Sequence, residues 1–166
     1  MESIKQEIKN VFGEKLRLRV SGICIENDTI LLVKHIGIGK SKFLWAPPGG
    51  GLSFEETVDE CLKREFLEET GLTIEIKEML LVNEYFEHPL HAVELFFLVE
   101  KIGGELIKGV DPEMDEAKQI ITEVRFVPFS EIKETETDSF HSLFETFKNK
   151  SDFDKKGRFM QNIIKR

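Results

Sequence analysis

Between Gly50 and Leu72 the chain gathers side chains whose types and spacing can do chemistry. Gly50 is followed after five residues by Glu56, and after seven more by Arg64-Glu65-Phe66-Leu67-Glu68-Glu69-Thr70-Gly71-Leu72. Glu65, Glu68 and Glu69 share one face of a helix at this spacing. Like charges three and four apart repel and destabilise a helix, and the macrodipole disfavours anions in its latter half. A divalent cation relieves both penalties. Mg2+ prefers near-octahedral oxygen ligands, keeps several waters and is shared between one or two carboxylates and substrate phosphates. Mn2+ accepts the same oxygen donors. Glu65 and Glu69 can hold one face of such an ion, and Glu68 can reach a second. Ions held this way polarise phosphoryl oxygens, lower the pKa of bound water and clamp the attacking and leaving oxygens.

The residues around the glutamates extend this reading. Gly49-Gly50-Gly51 directly precedes the acidic helix. Without a side chain, the Gly50 carbonyl can approach a metal and neighbouring N–H groups can approach a phosphate. Arg64 lies four residues before Glu68, a spacing suited to a salt bridge that orients the glutamates. Glu56 sits near the helix N-terminus, where an anion is favoured, as a cap or as a brace for Arg64.

Seven positions of this stretch are fixed in type, and a chance match is on the order of one in 10^8 windows at average residue frequencies. The stretch resembles the signature of the Nudix hydrolases at each of them, with Phe66 and Leu72 in the apolar slots. The resemblance implies a metal-dependent enzyme that cleaves nucleoside diphosphates linked to another moiety, on a single domain folded as an α/β/α sandwich around a central mixed β-sheet. It supports the Gly50 carbonyl as a metal ligand beside Glu65, Glu68 and Glu69, and Arg64 as their orienting partner. It also implies a glutamate from a later loop, as metal ligand or general base. The acidic loop 109–118 supplies the candidates, and we assign Glu116 to catalysis and Glu113 to substrate. Glu94, within a strand, is the alternative. The expected substrate is of the ADP-ribose or nucleotide-sugar type; the alternatives are a nucleoside triphosphate and a non-catalytic nucleotide-sensing role.

Recognition residues are sought among aromatic and basic side chains. Trp45, Phe43, Tyr85 and Phe86 offer rings on which a base can stack, a contact of about 1–3 kcal/mol. His35, Lys40 and Lys42 lie on a loop that can meet phosphates. Of these, Trp45 and Lys42 are assigned to substrate. No pair of histidines has the His-x-x-x-His spacing of a zinc site.

These side chains need a scaffold. A chain of 166 residues with 40% hydrophobic residues fits one domain with a real core. The net charge of −8 argues against general nucleic-acid binding. Residues 145–166 depart from that balance, with seven Lys or Arg against three acids. They are expected to form a solvated basic helix face, or to touch an anionic substrate or a second subunit. Cys24 and Cys61 make no disulfide framework. No signal peptide and no stretch of about 20 apolar residues is present, so a cytoplasmic monomer or homodimer, off the membrane, is the expectation.

The pattern predicts a helix over 2–12 ending at Gly13, a strand through Leu16, Leu18 and Val20, and a hairpin turning at Asn27-Asp28. A loop spans 34–42. A helix follows over 57–70, opened by Ser53 or Glu55, with Val58, Cys61, Leu62 and Phe66 as its apolar stripe and Gly71 as its stop. Strands are expected at 73–86, 92–100 and 120–127, with Gly103-Gly104 turning the chain back. Ser130 is expected to cap a short helix, and Asp138 a longer one to about 149.

Overall fold

Asn27 and Asp28 turn the chain between the first two strands, Asn27 taking the left-handed conformation its side chain tolerates (φ 55°). In the computed structural model, residues 6, 9–38, 41–110, 119–135, 137–154 and 157–163 are described. The strands are β1 (Leu16–Glu26), β2 (Thr29–Ile36), β3 (Phe43–Ala46), β4 (Gly49–Gly51), β5 (Leu72–Glu87), β6 (Leu90–Gly104), β7 (Ile121–Pro128) and β8 (Arg158–Ile163). Besides the helical residues 9–12, the helices among the described residues are α1 (Val58–Thr70) and α2 (Phe129–Glu134), with short 3-10 turns at Thr137–Ser139, Ser142–Glu145 and Lys150–Asp154.

The strands form a mixed sheet in the order β3-β2-β1-β6-β5-β8, with β4 beside β1 and β7 beside β2. β1 runs parallel to β6, and β5 parallel to β8; the other pairs are antiparallel. Alternation along the strands divides the core in two. One face carries Val20, Leu31 and Val99 against Cys61, Leu62 and Phe66 of α1. The other carries Ile23, Leu32 and Phe96 under α2 and the turns of 137–154, which contribute Phe140, Phe144 and Phe147. Complete burial of Phe66 alone stabilises the docking of α1 by about 1.5–3 kcal/mol.

α1 is specified at both ends. Thr57, rather than Ser53 or Glu55, is its N-cap. The Thr57 hydroxyl accepts the Glu60 N–H at 3.3 Å while the Glu60 carboxylate accepts the Thr57 N–H at 2.9 Å, a reciprocal capping box. Gly71 ends the helix at φ 72°, donating its N–H to the Leu67 carbonyl at 2.9 Å. Beyond β6 the chain crosses this end of α1. Ile107, Gly109 and Val110 donate N–H groups to the carbonyls of Thr70, Glu69 and Glu68 at 3.0, 2.9 and 3.2 Å. Three carbonyls of the last helical turn thus gain partners.

Several expected elements take a different form. Residues 34–36 belong to β2, so the loop is shorter. Gly103 and Gly104 close β6 opposite Thr73 and Leu72 instead of forming a turn between strands. α2 begins after Pro128 and has no side-chain cap, so Ser130 does not serve as one. The helix expected from Asp138 is a series of 3-10 turns. Within the expected basic helix face, Arg158–Ile163 form a strand parallel to β5. The N-terminal helix is described at residues 9–12, where Gly13 donates to the Lys9 carbonyl at 2.8 Å. Among the described residues no helix is long and apolar enough to cross a membrane.

Candidate active site

α1 projects its carboxylates toward the glycine strand. β4 pairs with β1, matching Val20 with Gly50 and Ser21 with Gly49. A Cβ on Gly50 would lie 2.2 Å from a Glu65 carboxylate oxygen. Any side chain here would displace the Glu65 carboxylate from its place against the backbone. The Gly49 N–H donates to Glu69 Oε2 at 2.9 Å. Glu65 and Glu69 are both buried.

Arg64 is the hub of the cluster. Its Nε and Nη2 donate to the two Glu56 carboxylate oxygens at 2.7 and 3.0 Å, a bidentate pair. Its Nη1 donates to Glu65 Oε1 at 2.8 Å and to Glu68 Oε2 at 3.0 Å. Glu56 also accepts the Ser53 N–H at 3.2 Å. Arg64 therefore holds Glu65 and Glu68, and Glu56 is its brace and not the helix cap.

The electrostatics follow from this geometry. Burial pushes the Glu65 carboxyl up to about 7, the Glu69 charge adds to the rise, and Arg64 partly offsets it. The hydrogen bonds from Arg64 bring Glu56 down to about 2. Arg64 is shifted upward, first by its bond to Glu56. The site thus carries more negative charge than one guanidinium neutralises. Among the described residues no three His, Cys, Asp or Glu side chains by themselves converge tightly enough to define a metal site. The donor set nonetheless fits a divalent cation, because hard carboxylate oxygens crowd a glycine cradle that a Cβ would fill.

A second polar cluster supports the glycine strand from the other face of the sheet. Glu94 on β6 accepts Asn83 Nδ2 at 2.8 Å and lies 3.9 Å from Arg19 Nε. His141 Nδ1 accepts the Leu143 N–H at 3.1 Å, which leaves Nε2 to donate to Glu94 at 3.1 Å. Arg19 Nη2 in turn donates to the Gly49 carbonyl at 3.2 Å. Burial disfavours the Glu94 charge, but His141, Arg19 and Asn83 outweigh it and hold the carboxyl below its usual range. Asn83 Oδ1 is buried without a protein partner.

The structure gathers Gly50, Arg64, Glu65, Glu68 and Glu69 into one site. Trp45 is 5% exposed and belongs to the core; Arg125 lies 4.8 Å and Lys34 5.6 Å from its ring centroid. Lys42 precedes β3 at φ 66°, its carbonyl accepting the Gly37 N–H at 2.8 Å. Glu113 and Glu116, like Lys40, lie outside the described residues. The Tyr85 hydroxyl donates to Glu87 at 2.7 Å, and Phe86 meets His91 edge-on. Sequence reasoning overlooked Arg19, and it placed His35 on a loop. Strand alternation offered a signal for His35, since Leu31, Val33 and His35 share the face that α1 covers.

Comparison with known proteins agrees with this geometry. The NUDIX domain family profile matches residues 15–146, from the start of β1 to just beyond the Ser142–Glu145 turn. A protein of Methanocaldococcus jannaschii called ADP-ribose pyrophosphatase is 37% identical over 94 residues, which are 55% of this chain and 55% of that protein. The match thus spans about half the length of this curated relative. A NUDIX hydrolase from Nitrosomonas europaea superposes with a TM-score of 0.65 at 19% identity, over 78% of this chain and 83% of the other. A MutT protein from Methanosarcina mazei gives 0.65 at 18% identity, over 85% and 94%. These two show the fold, an α+β architecture on a central mixed sheet. Given a profile match across most of its length, this chain belongs to the Nudix family of hydrolases.

Proposed function

We propose that the protein is a Mg2+-dependent pyrophosphohydrolase, with Mn2+ as a substitute, acting on a nucleoside diphosphate linked to another moiety of the ADP-ribose or nucleotide-sugar type. The observation that carries this reading is the placing of Glu65, Glu68 and Glu69 by Arg64 and the Gly49 N–H beside the glycine strand. The similarity to a protein named ADP-ribose pyrophosphatase supports the substrate class.

Glu65, Glu68, Glu69 and the Gly50 carbonyl would hold the ion. When bound, it supplies polarisation of the phosphoryl oxygens and acidification of water. Arg64, fixed by Glu56, sets the orientation of Glu65 and Glu68, and the Gly49 N–H fixes Glu69. Lys42 offers positive charge to the phosphates. Trp45 is buried with the Lys34 ammonium over its ring, so its contribution to binding is proposed to be indirect. Glu116 is proposed as the base that takes the proton from the attacking water, and Glu113 as a contact to substrate. The residues flanking their segment support this assignment. Val110 is bonded to the Glu68 carbonyl, and the Ile120 carbonyl accepts the N–H of Ile36, the neighbour of His35.

The test is product analysis with Mg2+ over ADP-ribose, nucleotide sugars, dinucleoside polyphosphates and nucleoside triphosphates. Glu69→Gln keeps the side-chain size and removes a charged ligand. We expect its turnover to fall by about 10^2–10^3 with an unchanged circular dichroism spectrum. Near-normal turnover in that variant overturns the assignment of Glu69, and preferred cleavage of triphosphates overturns the substrate class.

A further inference from the structure

Glu69 is 4% exposed, and each of its carboxylate oxygens faces a protein group. Oε2 accepts the Gly49 N–H at 2.9 Å. Oε1 lies 3.5 Å from Nε2 of His35, a residue outside the glycine-to-leucine signature. His35 stands near the end of β2, itself largely buried. The pairing of β2 with β7 shifts register at this point. Lys34 pairs with Glu123 and His35 with Ile121, so Thr122 is the extra residue of a bulge. The Thr122 hydroxyl donates to the Lys34 carbonyl at 3.3 Å. A bulge bends the ladder and re-aims the neighbouring side chains. Here it accompanies an imidazole that meets the carboxylate of a different element, thirty-four positions along the chain. The Ile36 N–H is anchored on the Ile120 carbonyl at 2.9 Å, which fixes the strand end that carries the ring.

We infer that His35 is a positioning residue for Glu69, holding the carboxylate in the orientation that binds the divalent cation. The inference rests on the proposed reading of Glu69 as a ligand. A buried carboxylate held on one oxygen only is free to rotate about its terminal torsion, which is broad and roughly two-fold. With the backbone N–H on one oxygen and the imidazole beside the other, that rotation is restricted before the cation arrives. Partners outside the ligand shell commonly change metal affinity or activity by about 10–100-fold when removed. His35 is therefore assigned to metal affinity, with no direct part in the reaction.

The experiment titrates Mn2+ into the purified, chelator-treated protein without substrate, following free Mn2+ by electron paramagnetic resonance. Wild type is compared with Glu69→Gln and with three substitutions at position 35. His35→Ala removes the ring. His35→Phe keeps ring bulk without a donor, and His35→Gln returns an amide N–H near the Nε2 position. We expect His35→Ala and His35→Phe to weaken Mn2+ binding by about 10-fold or more, and His35→Gln to recover most of it, with matching circular dichroism spectra. If His35→Ala fails to fold, the Phe and Gln variants carry the comparison. Wild-type affinity in His35→Phe overturns the inference and leaves the reading of Glu69 intact. Wild-type binding no tighter than that of Glu69→Gln overturns the reading of the site, and the role of His35 with it.

Discussion

Arg64 shows how a single residue organises a site that it need not enter. Its guanidinium spends two donors on Glu56, and a third on Glu65 and Glu68. The Glu56 pair has a consequence for stability. The Glu56 carboxyl is lowered from an ordinary 4.5 to about 2, chiefly by hydrogen bonds from Arg64. A carboxylate whose folded pKa is depressed contributes stability above its unfolded value, and that contribution is lost as pH falls through the folded value. The stability given by Glu56 is therefore full near neutrality and declines between about pH 4.5 and 2. Urea midpoints of wild type and Glu56→Gln should differ most at pH 6 and converge towards pH 3. A constant gap across that range contradicts the role given to this pair.

At the scale of elements, α1 depends on a segment far away in sequence. The 105–110 segment closes its last turn with three backbone donors, and Gly109 lies directly against the helix backbone. A Cβ on Gly109 would lie 1.8 Å from the Glu68 carbonyl oxygen. Gly109→Ala should lift the segment off the helix, costing about 2–4 kcal/mol from strained packing and lost hydrogen bonds. It should also lower turnover, because the carbonyls released belong to Glu68 and Glu69. Urea unfolding and steady-state rates check both effects; an unchanged midpoint shows that the segment does not secure the helix.

This dependence also explains what the sequence made legible. α1 could be read almost to its ends, because its apolar stripe and Gly71 are local signals, although its cap is Thr57 and not Ser53 or Glu55. So could the central strands, where apolar residues alternate. The stretch 137–154 misled for a physical reason. Phe140, Leu143, Phe144 and Phe147 have helical spacing, yet successive 3-10 turns also cluster residues three apart. β8 was hidden because its lysine-rich surroundings resemble a solvated face, and its strand form comes from pairing with β5. In the site, the signature residues announced themselves by type and spacing. Arg19 did not, since its hydrogen bond to the Gly49 carbonyl exists only once β1 and β4 pair. For the same reason the link from Glu94 to the glycine strand has no sequence signal.

For the molecule as a whole, the mixed sheet separates two cores that make different demands. The core beneath α1 contains both cysteines, each almost fully buried. Burial is the main cause that pushes the Cys24 thiol up to about 11 and the Cys61 thiol up to about 12. Neither supplies a thiolate at neutral pH. A colorimetric thiol reagent should therefore count essentially no reactive thiol in the native protein at pH 8, and two in denaturant. Rapid labelling of one thiol in the native state would mean that α1 opens readily from the sheet.

The opposite core reaches the carboxylates through the two peptide groups that flank the Gly49 Cα. The Gly49 carbonyl accepts from Arg19, and the Gly49 N–H donates to Glu69. The Gly49 N–H is thus a built-in spectroscopic reporter. In a nitrogen–proton correlation spectrum, the Gly49 cross-peak senses the electron density on Glu69. With nitrogen-15 in the backbone, it can follow a change at that carboxylate without a substrate or a turnover assay.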